Sequence, residues 1–93
     1  MHYVLIIHAV EDYAAWKQVF DGAAAIRKTA GEQSYILLRD DKDANEIVHF
    51  SKWDSLANAR AFFESEELVE IRRKAGVHAP DFIYLDCLEQ GAL

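Results

Sequence analysis

The chain has 93 residues, 52% of them apolar and 28% charged, with 16 acidic against 10 basic side chains and a net charge of -6. That length is one domain, residues 1–93, which buries only roughly 60% of its unfolded surface and whose core gains from association. The acidic balance gives no electrostatic reason to bind nucleic acid or an anionic membrane.

The first strand is expected at 2–9. Tyr3, Leu5 and Ile7 lie on one face and Val4 and Ile6 on the other, so both faces should be covered. The run 3–7 is too short to span a membrane and lacks the flanks of a secretory leader, which makes a soluble cytoplasmic protein the expectation. Asp12 caps a first helix over 13–30, with Tyr13, Trp16, Phe20, Ala23, Ala24 and Ala30 on one apolar stripe. Arg27 interrupts that stripe. Gly31 can close the helix.

Strands over 33–40 and 46–53 flank the turn-rich segment DKDANE. A second helical region follows Trp53. It has one N-cap at Asp54 or Ser55 and another at Ser65, which predicts a break near Glu64. The basic cluster Arg72, Arg73 and Lys74 suits the negative end of that helix dipole. Pro80 stops any continuation and precedes a last strand over 82–89. Cys87, the only cysteine, reads as a small buried apolar residue there, with no disulfide partner.

The order βαββαβ predicts an α+β, ferredoxin-like fold: a four-stranded antiparallel sheet with both helical regions on one face. The other sheet face would be apolar and bare. A second copy packed sheet to sheet about a twofold axis is the simplest cover. Which parity of the first strand faces that partner is open, so Val4 or Ile6 is as good a candidate as Tyr3 or Leu5.

Few residues break the apolar pattern of their own elements. His8 is in phase with Val4 and Ile6, and His49 with Ile47 and Ser51. Strands one and three are neighbours in such a sheet, so the two imidazoles can meet at a pocket and move protons or ligate a metal, or each can be a half-buried side chain with one hydrogen bond. Arg27 either runs along its stripe to water or reaches an anionic or carbonyl group in a cavity. Tyr35 and Tyr84 are candidates for the edge of the same space, and packing residues otherwise. Trp16 and Trp53 read as structural, and the glutamates at 64, 66, 67 and 70 as a solvated face. No metal-ligand spacing and no phosphate-binding loop is present.

The segments His8–Tyr13 with Trp16-Lys17 and Phe20, then Arg27-Lys28 before Gly31, Asn45–Val48, Trp53-Asp54, Ala59–Phe62, Ser65, Leu68 and Ala75–Val77 resemble the dimeric α+β barrel superfamily. The resemblance is to its antibiotic-biosynthesis-monooxygenase-like group, and it covers nearly the whole chain. It implies a homodimeric barrel with a small cavity between sheet and helices in each subunit. It also implies binding of a small hydrophobic or aromatic ligand, with cofactor-free oxygenation, isomerisation or cyclisation among the superfamily's reactions. On that reading no cofactor is needed. His8 or His49 is the base, Arg27 stabilises the anion, and Tyr35, Tyr84 and Phe62 contact the ligand. Haem-degrading relatives carry a functional Trp at the position of Phe62 and an axial His at that of Arg72, so haem degradation is not expected. The alternative is a non-enzymatic dimeric sensor or accessory protein whose cavity is filled core. Unfilled volume beside the two histidines separates the readings.

Overall fold

The computed structural model describes residues 1–93, with every side chain except that of Ala79. The elements are β1 (His2–Val10), α1 (Tyr13–Gly22), α2 (Ala24–Ala30), β2 (Glu32–Arg39), β3 (Glu46–Trp53), α3 (Leu56–Phe63), α4 (Glu66–Lys74) and β4 (Val77–Asp86). All strand pairs are antiparallel, in the order β2-β3-β1-β4. This is the ferredoxin-like arrangement, with β1 and β3 central.

Alternation decides which residues each face receives. Val4, Ile6, His8 and Val10 of β1, with Ile47, His49, Ser51 and Trp53 of β3, are buried. Two apolar clusters sit under the helices: Val4, Ile6, Trp53, Ala59 and Phe63, and then Val10, Trp16, Phe20 and Ile47. Full burial of such side chains is worth roughly 1.5–3 kcal/mol each. Tyr3, Leu5 and Ile7 therefore point to the helix-free face, and the parity left open by the sequence is settled. Val4 and Ile6 are core.

Two boundaries differ from expectation and one agrees with it. The first helical region is broken at Ala23 (φ -92°, ψ 4°), where the amide donates to the carbonyls of Val19 and Phe20. Gly22, a weak helix former, immediately precedes the break. The second region breaks where a new cap was expected: Ser65 Oγ accepts from Leu68 N, as Ser55 Oγ does from Asn58 N at α3. The last strand begins at Val77, so Pro80 lies inside it. That is tolerated because β4 is an edge strand and its register against β1 shifts between Ile7 and Ala9. Cys87 falls just past the strand and is half-buried.

Candidate active site

Five elements converge between the two clusters. β1 supplies His8, β3 His49, the broken helix pair α1 and α2 Phe20 and Arg27, and α4 Ile71 and Arg72. Together with Ile6, Trp16, Val19 and Phe63 they line a cavity of about 70 Å³. Val19 is exposed and Ile71 half-buried, so the opening lies between α1 and α4.

Arg27 is buried because the break at Ala23 turns α2 toward the sheet. Its Nε donates to Glu32 Oε1 at 2.7 Å and its NH1 to the Phe20 carbonyl. The guanidinium also stacks 3.7 Å from the centre of the Phe20 ring. It reaches a carboxylate and a carbonyl, but both belong to the protein. Glu32 Oε2 lies 2.7 Å from His49 Nε2. That contact is close but poorly aligned for a hydrogen bond. Burial alone would raise the Glu32 carboxyl; contact with His49 and then Arg27 outweighs it and holds the group below its usual value.

His8 is a different case. It packs edge-on against Trp16 at 5.0 Å between ring centres, and neither ring nitrogen has a partner among the described residues. Burial, followed by the charges of His49 and Arg72, depresses its pKa to about 4. At neutral pH it is an uncharged imidazole. Arg72 NH2 donates to the Phe63 carbonyl at 3.0 Å, while its NH1 is buried without a partner.

His8, His49 and Arg27 therefore meet at one cavity. The three proposed contact residues do not line it. Tyr35 is 49% exposed and borders a surface groove with Arg27, Glu32 and Asp54, although its ring touches Phe20 and His49 from the β2 side. Tyr84 lies under the Arg60 guanidinium, 4.0 Å away, and burial raises its phenol. Phe62 packs against Trp53 and Phe63. Trp53, 1% exposed, donates from Nε1 to Ser51 Oγ and is structural. Trp16 is both core and cavity wall. Glu32 and Arg72 were not anticipated. Among the described residues no group of three or more His, Cys, Asp or Glu side chains is placed to hold a metal ion.

The family profile of antibiotic biosynthesis monooxygenases matches residues 9–74. The chain belongs to this family. Solved structures agree at the level of fold. SnoaB, a cofactor-independent oxygenase from Streptomyces nogalater, is 15% identical and superposes with a TM-score of 0.74, over 96% of this chain and 93% of SnoaB. A provisionally assigned antibiotic biosynthesis monooxygenase from Deinococcus radiodurans is 12% identical at TM-score 0.74, covering 100% of this chain and 98% of its own. Rv0793 from Mycobacterium tuberculosis is 16% identical at TM-score 0.67, over 99% and 100%. A comparison with curated proteins found no match.

Proposed function

We propose that this family member binds a small hydrophobic or aromatic ligand in the cavity between sheet and helices, and that it oxygenates that ligand with dioxygen and no cofactor. The observation that supports this reading most is unfilled volume beside His8, whose two ring nitrogens are buried and unpartnered. Leaving such a group unsatisfied is costly, and a ligand or water relieves it.

In the reaction, His49 accepts the proton of a phenolic or enolic substrate. Glu32, itself fixed by Arg27, orients the imidazole and stabilises the charge it takes up. The anion attacks dioxygen at carbon, and loss of water from the resulting peroxide leaves a carbonyl, so one oxygen atom enters product and one leaves as water. Arg27 acts through Glu32 as a positioning residue. One observation favours the second reading, a sensor or filled core: about 70 Å³ is well below the roughly 300 Å³ of ordinary ligand pockets. A phenol enters only if α1 and α4 part at Val19.

The remaining sheet face, with Ile36 and Leu38 more than half exposed, is proposed to pair with a second copy. No helix among the described residues is long and apolar enough to cross a membrane.

The test is a thermal-shift screen with phenol and 1-naphthol, followed by mass spectrometry under labelled dioxygen. Expected are a rise in melting temperature and one labelled oxygen in product. Substituting His49→Phe should keep the fold and weaken binding by about 1–3 kcal/mol. Binding without label incorporation would favour the sensor, and no binding would remove the aromatic-ligand reading.

A further inference from the structure

The cavity contains an uncompensated positive charge. Arg27 and Glu32 neutralise each other, at 2.7 Å and both almost fully buried. Arg72 has no carboxylate within ion-pairing distance among the described residues. One face of its guanidinium is occupied by the Phe82 ring at 4.8 Å, and one terminal nitrogen by the Phe63 carbonyl. The other terminal nitrogen, NH1, is buried and free. His8, 5% exposed, lines the same cavity with both ring nitrogens free. Arg72 as a whole is half-buried, and a guanidinium with one terminal nitrogen cut off from water and no counter-ion is unfavourable unless something supplies one. Planar guanidinium suits a carboxylate better than a single-point charge does, and a neutral imidazole can add one N–H donor.

We infer that the cavity takes the carboxylate head of a small organic acid, held by the Arg72 guanidinium and the His8 ring. The inference rests on reading the cavity as a ligand site and specifies the charge of what enters. One negative charge balances the one free positive charge. The volume, about 70 Å³, holds roughly five water-sized spheres, enough for a carboxylate and one or two carbons. Any longer tail leaves between α1 and α4, past Val19. Arg27 cannot take this role, because its donors are directed at Glu32 and the Phe20 carbonyl.

Acetate and acetamide, alike in shape and different in charge, are the probes. They are titrated at constant ionic strength into the full chain, with the His8 ring and arginine side-chain resonances followed by NMR. Acetate is expected to shift His8 and Arg72 saturably, and acetamide is not. Arg72→Gln should weaken acetate at least about tenfold, the loss of one charge-assisted hydrogen bond. Arg73→Gln, in an exposed pair with Glu70, should leave it unchanged. Should Arg72→Gln unfold the chain, His8→Gln provides the independent test and should also weaken acetate. Equal response to acetamide, no saturable response to acetate, or undiminished acetate affinity in folded Arg72→Gln or His8→Gln would overturn the assignment. If phenol or 1-naphthol binds while acetate does not, the carboxylate falls and the ligand site stands. If none of them binds, both fall.

Discussion

His8 shows at the residue scale how one side chain couples the cavity to stability. In the unfolded chain its imidazole takes a proton near its ordinary value of 6.5, and in the folded chain only near 4. Between those values the unfolded state binds more protons, so folding stability is fully present above about pH 6.5 and falls as pH drops toward 4. The full difference is on the order of 3 kcal/mol. Urea unfolding from pH 7 down to 4.5 should therefore show a steeper loss in the parent than in His8→Gln, which cannot titrate. Parallel curves would mean that the ring is solvated or already paired. Of the polar groups at this site, His8, His49 and Arg27 were legible because each breaks an apolar period. Glu32 was not, because it directly follows a helix-closing glycine and reads as a surface residue at a strand's start. Its partners are five and seventeen residues away, and no periodicity connects them. Arg72 was hidden by its neighbours: a run of three basic residues at a helix end has an ordinary electrostatic explanation, and only the helix phase separates the inward one.

Elements place these side chains through their ends more than through their interiors. α2 closes on Gly31, whose φ of 129° is open to glycine and strained for other residues. A Cβ there would press into the Asp54 carboxylate. Swinging Asp54 away would break the contacts that place it. Its amide donates to the Gly31 carbonyl at 3.0 Å, and its carboxylate accepts from Asn58 Nδ2 at 3.1 Å. This strap ties the end of α2 to the start of α3 and sets where Glu32 enters the sheet. Gly31→Ala should cost about 2–4 kcal/mol, combining backbone strain with overpacking. It should also disturb the His49 ring resonances, whereas Gly22→Ala, with open space around its Cβ, should not destabilise. A Gly31→Ala protein with unchanged urea midpoint would sink this account. The helix break at Ser65 was legible because a cap has a chemical signature. The break at Ala23 was not. An Ala-rich stretch with one glycine is a weak stop signal, and what holds the turn is a contact seven residues apart that no periodicity shows, the Arg27 guanidinium returning to the Phe20 carbonyl.

For the whole molecule, the quantity that matters is surface. The chain exposes 6084 Å², against roughly 5,500 Å² for a folded monomer of its mass. The extended tail after Asp86 contributes to the excess, and so does the sheet face away from the helices. That face carries Tyr3 stacked on Phe50 at 5.1 Å, with Leu5, Ile7 and Val48 half-buried around them. At its edges Ile36, Leu38, Ile83 and Leu85 are 55%, 51%, 42% and 37% exposed. Such a run of apolar side chains on a 93-residue domain is unfavourable in water. Two copies placed face to face would bury on the order of 2,000 Å² in total, typical of an obligate pair. Alternation along β1 turns this into a test with opposite outcomes at adjacent residues. Leu5→Glu puts a charge into the pairing face and should yield monomers that retain their secondary structure but melt lower. Ile6→Glu, one residue on, buries the charge under the helices and should prevent folding altogether. Sedimentation equilibrium at micromolar concentration, paired with circular dichroism, reads both. A folded monomer in the unmodified chain would remove the pairing, as would a Leu5→Glu protein that sediments unchanged. The converse outcome has a consequence for the cavity. If Leu5→Glu dissociates the pair and acetate affinity survives, each subunit's site is complete without its partner. If affinity disappears with the pair, association holds β1 and β3, and with them His8 and His49, in register.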